Sequence, residues 1–187
     1  DAGYAVKEGS VHYIFVTKVA MDVEIGATTL DGSKIAPTSA WTITCCQGTA
    51  TSGATGVWNC DSAAQKAAMF DGKLDSNCWY AANASYSWGN GGNFIITLDK
   101  AYDINGFRWH IYYEDSNPEC TDFQYSEDGT NWYSLTNEIS FVPKLSADNW
   151  KIFQFKKTVK ARYLRVYVGR VTDFTSMNEA EIFAPAN

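Results

Sequence analysis

Ala68-Met69-Phe70-Asp71-Gly72-Lys73-Leu74-Asp75-Ser76-Asn77-Cys78-Trp79 is the stretch on which the fold turns, and its partner is Asn178-Glu179-Ala180-Glu181-Ile182-Phe183 near the C-terminus. In the first, Asp71-Gly72 turns the backbone, Asp71, Asp75 and Ser76 offer oxygen ligands, and Trp79 anchors the exit. The second alternates as a final strand does and brings a carboxylate, Glu181. A hard cation such as Ca²⁺ takes about six to eight oxygens, many of them backbone carbonyls, so one loop plus one terminal Glu can supply a shell. On spacing alone, ordinary turn chemistry explains both segments as well, because Asp-Gly turns are commoner than six-oxygen sites.

The chain has 187 residues, of which 45% are hydrophobic and 19% charged, a balance that fits one domain, or one domain with a short appendage, around a substantial core. Its formal net charge of -6 argues against nucleic acid and against anionic lipid as partners. Lys156-Lys157 with Lys160 and Arg162 reads as a solvated strand edge. The compositional outlier is aromatic: 7 Trp, 11 Tyr and 10 Phe. Most are expected to fill a core, with a surplus available to stack on the apolar faces of sugars. Cys45, Cys46, Cys60, Cys78 and Cys120 match no metal-binding spacing, and both disulfides and free buried thiols remain open for them. Asp1 reads as a mature or trimmed terminus with no signal peptide, and no run of about 18 apolar residues spans a membrane.

The organisation is all-β. Val11 to Val19 reads as a strand and Met21 to Ile25 as a weaker one, after which Gly32 to Ser39 resembles a linker or long turn. This divides the chain into 1–38, a strand-containing extension or the end of an upstream β-domain plus linker, and 39–187, the main domain. Trp41 to Thr44 opens that domain, and Gly48 to Gly56 is a small polar loop. Ser62 to Met69 is the one helical stretch, capped by Asp61 or Ser62. Asn93 to Asp99, Gly106 to Tyr113, Asp122 to Ser126, Lys151 to Phe155, Tyr163 to Val168 and Ala180 to Phe183 have strand composition, and Ser126 to Trp132 is a turn built on Asp128-Gly129. Short strands with regular turns imply a sandwich or jelly roll with its loops gathered at one end.

The order of short helix, Asp-Gly loop ending in Trp79, strand Gly106 to Tyr113, Ser126-Glu127-Asp128-Gly129-Thr130-Asn131-Trp132, Arg162-Tyr163-Leu164-Arg165-Val166 and Ala180-Glu181-Ile182 resembles the discoidin domain. This is the C-type domain of coagulation factors five and eight, with carbohydrate-binding module family 32 as its bacterial relatives. The resemblance runs from about Trp41 to the C-terminus and implies a jelly-roll β-sandwich of the galactose-binding-domain-like type. It implies a structural Ca²⁺ held by the Ala68 carbonyl, the Asp71 carboxylate, the Lys73 carbonyl, Ser76 through hydroxyl and carbonyl, the Ala180 carbonyl and the Glu181 carboxylate. The loop is one residue longer than usual between Ser76 and Trp79, which makes Asp75 the reserve ligand. Such a clasp ties the loop to the last strand and is structural rather than catalytic.

The resemblance also implies a glycan site in three loops. Tyr80 to Gly92 offers Tyr80 and Trp88, Tyr113 to Asn117 offers Tyr113, Glu114 and Asn117, and Arg170 to Ser176 offers Arg170 and Phe174, the last matching the late aromatic platform. Sugar binding needs an aromatic face for the ring and planar or charged groups for its hydroxyls. Capping of the sandwich end by Trp88 and Tyr86 is the competing reading. Galactose-binding relatives tend to carry an Arg where Tyr113-Glu114 stands, so galactose is not implied. His110 reads as a strand histidine.

Only two histidines occur, neither in a nucleophile motif, and adjacent acids such as Glu114/Asp115 and Glu127/Asp128 are ordinary turn residues, so no catalysis is expected. The expectation is a non-catalytic carbohydrate-binding module, an accessory domain of a glycan-degrading or glycan-capturing protein that also has an upstream domain. The family places such proteins outside the cell, on its surface or in the periplasm. The alternative is a cell-adhesion or protein-interaction discoidin domain that binds no sugar.

Overall fold

In a computed structural model, the described residues are 30–46, 63–75, 79–81, 93–111, 120–141, 149–168 and 175–186. They form strands β1 (Ser33–Lys34), β2 (Thr42–Cys46), β3 (Trp79–Ala81), β4 (Asn93–Ile111), β5 (Cys120–Ser126), β6 (Tyr133–Ser134), β7 (Ile139–Phe141), β8 (Trp150–Val168) and β9 (Thr175–Ala184). The helices are α1 (Ala63–Ala68) and a 3-10 turn at Thr136–Glu138. None of the described helices is long and apolar enough to cross a membrane. Every pairing between these strands is antiparallel.

The two long strands generate the architecture. β4 pairs with β8 along its length, with register shifts between Thr97 and Tyr102 and between Ile104 and Gly106. Such irregularities bend a strand and increase its twist. Phe94 and Trp109 belong to the same strand and would stand about 50 Å apart if it were straight, yet their ring centroids are 5.6 Å apart. The sheet therefore folds back on itself. One layer is β2, the first half of β4, the second half of β8, β5 and β6; the other is β1 and β3 on β9, the second half of β4, the first half of β8, and β7.

The sequence reading divides each long strand in two, at Asp99 to Gly106 and at Phe155 to Tyr163. The polar and glycine residues there mark bends in a continuous strand rather than loops, and strand composition alone does not tell these apart. α1 and the β5 and β9 segments fall where the sequence places them, while Val11 to Val19, Met21 to Ile25 and Gly48 to Gly56 lie outside the described residues.

The two layers share an aromatic core. Phe123 of one layer meets Phe107, Phe153 and Phe155 of the other at ring centroid distances of 5.5, 5.6 and 5.3 Å, and Trp109 lies 4.9 Å from Phe153. Ile43, Ile96, Leu98, Leu164, Val166, Met177 and Ile182 close the space around them with no solvent exposure. In the same core, Trp41 packs edge-on against Phe70 (5.7 Å) and Tyr102 (6.2 Å). Asp99 accepts from Trp41 Nε1 at 2.8 Å and from the Tyr102 hydroxyl at 2.9 Å, and the Trp41 bond leads in holding its carboxyl below the usual range. This cluster fixes Phe70 and with it the start of the Asp71 loop.

The stretch read as a linker, Gly32 to Ser39, begins with a strap on the sandwich. Ser33 and Lys34 pair with Ala184 and Phe183, and the Ile35 amide donates to the Ile182 carbonyl at 2.8 Å. Gly32 has φ 154 and lies against the Ala184 carbonyl and Asn105, leaving no room for a Cβ. A two-residue strand of Ser and Lys carries no apolar alternation, which is why composition reads it as a loop.

Because Phe123 joins both layers, Phe123→Ala is expected to destabilise the domain by about 3–5 kcal/mol. Urea unfolding measures this; a loss below about 1 kcal/mol would mean that the layers do not depend on a shared core.

Candidate functional site

The Asp71 loop begins where α1 stops. Phe70 N donates to the Ala67 carbonyl at 3.1 Å, a tightened last turn. Gly72 N, the donor that would otherwise continue the helix onto the Ala68 carbonyl, turns instead to Glu179 Oε2 at 2.9 Å. The Ala68 carbonyl is thereby spared its helical partner. Gly72 has φ 77 with open space around it, a left-handed turn that glycine adopts without a Cβ penalty. Asp71 Oδ1 then accepts from Lys73 N at 2.9 Å, closing an Asx turn. The Lys73 ammonium stands 3.8 Å from Asp71 Oδ2 and is largely exposed, so this ion pair adds little.

Three consecutive residues of β9 hold this loop. Asn178 Nδ2 donates to the Asp75 carbonyl at 2.9 Å, Glu179 accepts from Gly72 N, and Ala180 N donates to the Met69 carbonyl at 2.7 Å. The carboxylate that reaches the loop is therefore Glu179. Glu181, the residue expected there, stands in register with Arg108, and Lys34 approaches on β1. Its two oxygens accept from Arg108 Nε at 2.5 Å and from Lys34 Nζ at 2.7 Å. Arg108 in turn stacks over Trp150 at 4.0 Å. Glu181 is thus bound within the protein, and Glu179 has the oxygen to spare.

Glu179 is 1% exposed, and its Oε1 has no hydrogen-bond partner. Burial pushes its carboxyl up to about 7; the Gly72 amide and Lys34 oppose this shift, while Glu181 and Asp71 reinforce it. A buried carboxylate beside a second acid is costly to ionise unless a counter-charge joins it. Groups able to hold a cation at this corner are the Glu179 and Asp71 carboxylates and the carbonyls of Ala68 and Lys73. Among the described residues, no three His, Cys, Asp or Glu side chains converge as a metal cluster. Ala180 sits beside Glu179 with its amide committed to Met69, and Ser76 lies outside the described residues.

The proposed glycan residues are placed through their strand ends. Trp88, Tyr113, Glu114, Asn117, Arg170 and Phe174 lie outside the described residues, and of Tyr80 only the backbone is described, opposite Ser176 in β3. The strand ends that bracket the three loops converge at one end of the sandwich. Asn93, which follows the first loop, pairs with Tyr167 just before the third, and Ile111, before the second, pairs with Met177 just after the third. Cys120, after the second loop, pairs with Val168. The single bend in β4 brings this about: the strand leaves the loop end in one layer and returns to it in the other.

Sequence reasoning assigns no site role to Glu179 or Asn178, and reads His110 as a strand histidine, which its place in β4 bears out. The alternation of Asn178 to Phe183 puts Glu179 and Glu181 on one face, but which of them meets the loop depends on register. Glu179 lies nearer the start of β9, and that position is the one signal that favours it.

Residues 47–181 match the F5/8 type C domain. No curated protein matches the chain. Among solved structures, an F5/8 type C domain from Bacteroides fragilis is 14% identical over 84% of this chain and 99% of its own, with a TM-score of 0.60. CpGH89CBM32-5 from Clostridium perfringens, in complex with GalNAc-β-1,3-galactose, is 20% identical over 81% of this chain and 100% of its own, with a TM-score of 0.55. CBM32-1 from a family 31 glycoside hydrolase of the same organism is 19% identical over 75% of this chain and 93% of its own, with a TM-score of 0.52.

In the absence of divalent cations, the raised Glu179 carboxyl is expected to make stability fall as pH rises from about 4.5 to about 7, because the folded state holds a proton that the unfolded chain releases. The effect is on the order of 3 kcal/mol and is removed in Glu179→Gln. Chemical denaturation across that range in EDTA tests it; parallel pH profiles for the two proteins would contradict it. With a domain-length family match and the fold of three such domains, the chain belongs to the F5/8 type C domain family.

Proposed function

We propose that this domain is a non-catalytic carbohydrate-binding module, with a glycan site in the loops at one end of the sandwich and a structural Ca²⁺ at the junction of the Asp71 loop and β9. The observation that carries the glycan reading is the convergence of the strand ends around Tyr80 to Gly92, Tyr113 to Asn117 and Arg170 to Ser176. Those segments hold Tyr80, Trp88, Tyr113, Glu114, Asn117, Arg170 and Phe174. They combine flat apolar rings with carboxylate, amide and guanidinium groups, the two kinds of contact that a sugar requires. That a related C. perfringens module is seen with GalNAc-β-1,3-galactose supports the ligand class. Tyr113-Glu114, in place of the Arg of galactose binders, leaves the sugar to be found by screening. The setting proposed is an exported or cell-surface protein that degrades or captures glycans, in which this domain supplies adhesion to substrate.

Support for calcium comes from Glu179. A buried carboxylate with an unpartnered oxygen, a second carboxylate beside it at Asp71 and a helix-end carbonyl at Ala68 make an oxygen-only donor set suited to a hard cation. Glu179 takes the place expected of Glu181, beside the Ala180 carbonyl. Bound Ca²⁺ supplies positive charge that keeps Glu179 ionised and ties the loop to β9.

A glycan array followed by calorimetry tests the first reading. Trp88→Ala and Phe174→Ala are each expected to weaken binding of the best array ligand about ten-fold or more, the loss of one stacking face. Binding to no glycan would overturn the carbohydrate reading and favour protein adhesion. For the metal, EDTA is expected to lower the melting temperature by several degrees, equivalent to about 2–3 kcal/mol at calcium concentrations near 100 times Kd, and Asp71→Ala should mimic it. An unchanged melt would reject a stabilising calcium.

A further inference from the structure

β9 carries one residue more than β4 can pair. Ile111 stands opposite Met177 and His110 opposite Glu179, so Asn178 is the extra residue of a β-bulge. A bulge re-aims a side chain, and here it directs a fully buried amide toward the Asp71 loop. Asn178 Nδ2 donates to the Asp75 carbonyl at 2.9 Å, which leaves Oδ1 as the acceptor facing His110 Nδ1 at 2.6 Å. The imidazole therefore carries its proton on Nδ1 and donates it to Asn178. His110 is 8% exposed, and its ring packs edge-on against Trp150 at 5.2 Å.

We propose that His110 and Asn178 are positioning residues for the cation loop: their hydrogen-bond chain fixes Asp75 and so pre-shapes residues 71–75 for binding. The inference rests on the calcium reading above. Residues 71–75 are exposed, and bonds from β9 hold both ends of this segment. Ala180 and Glu179 hold the entry of the loop through Met69 and Gly72, and Asn178 holds its far side through Asp75. Asp71 and Lys73 lie between these anchors. Removing the Asn178 bond loosens the Asp75 end of the loop and with it the position of the Lys73 carbonyl, which binding would then have to order. Partners that orient the ligands of a metal typically change its affinity by 10–100-fold when removed.

Calcium titration calorimetry on four proteins tests this. Asn178→Ala and His110→Gln are expected to raise Kd about ten-fold. His110→Asn, whose amide nitrogen occupies the place of Nδ1 whereas that of Gln occupies the place of Nε2, should restore Kd to within about three-fold of the native protein. Hydrogen exchange of the Gly72 and Lys73 amides in EDTA provides the metal-free arm, in which faster exchange is expected in Asn178→Ala and native exchange in His110→Asn. Lower melting temperatures with unchanged Kd and unchanged exchange would overturn the proposal and leave the pair with a merely structural role. A native protein that binds no calcium would sink the calcium reading itself and with it the affinity claim, while the exchange arm separately decides whether the pair positions the loop.

Discussion

A carboxylate buried to 1% exposure must find positive charge, donors or a proton, and the corner formed by Glu179 is organised by that requirement. Gly72 N supplies one donor, and Lys34 acts on it at a distance. Arg108 and Lys34 pair with Glu181 instead, two residues further along the same face. Glu179 is left with one unpartnered oxygen, while its other oxygen meets the loop that contains Asp71. Division of labour between two acids on one strand thus creates an ion network at Glu181 and a buried carboxyl with one unpartnered oxygen at Glu179.

The same strand edge does mechanical work. Asn178, Glu179 and Ala180 each bind a different point of the Met69–Asp75 segment, and the Trp41–Phe70–Tyr102 cluster holds its approach. The loop is therefore shaped by direct protein bonds as well as by any ion. At the other extreme of scale, the bends in β4 and β8 put the two layers face to face around Phe107, Trp109, Phe123 and Phe153, and bring the loop-bearing strand ends together. The gathering of the loop-bearing strand ends thus follows from core packing, since only a folded-back β4 can begin and end at the same pole.

Much of this was legible in the sequence, and the losses have specific causes. The strand segments, the short helix before Asp71 and the Asp128-Gly129 turn rest on local chemistry. Asp128 accepts from the amides of Thr130 and Asn131 at 2.8 Å each, which holds its carboxyl well below the usual range, and Gly129 has φ 76. Continuity of β4 through Asp99 to Gly106 was not legible, because the pairing that makes a strand of those residues comes from β8. The choice between Glu179 and Glu181 was not legible either, since alternation sets a face while register comes from β4 and β1. The strap at Ser33-Lys34 belongs to the same class: only Phe183 and Ala184, some 150 residues later, make it a strand. Asn178 escaped notice because a bulge breaks the alternation on which strand reading depends.

The most direct test of this division between the two acids is calcium calorimetry on Glu179→Gln beside Glu181→Gln at neutral pH. Loss of binding in Glu179→Gln is expected, with binding retained in Glu181→Gln alongside a lower stability from the orphaned Arg108 and Lys34. Retained binding in Glu179→Gln together with loss in Glu181→Gln would contradict it, and would return the site to the carboxylate that the structure commits to Arg108 and Lys34.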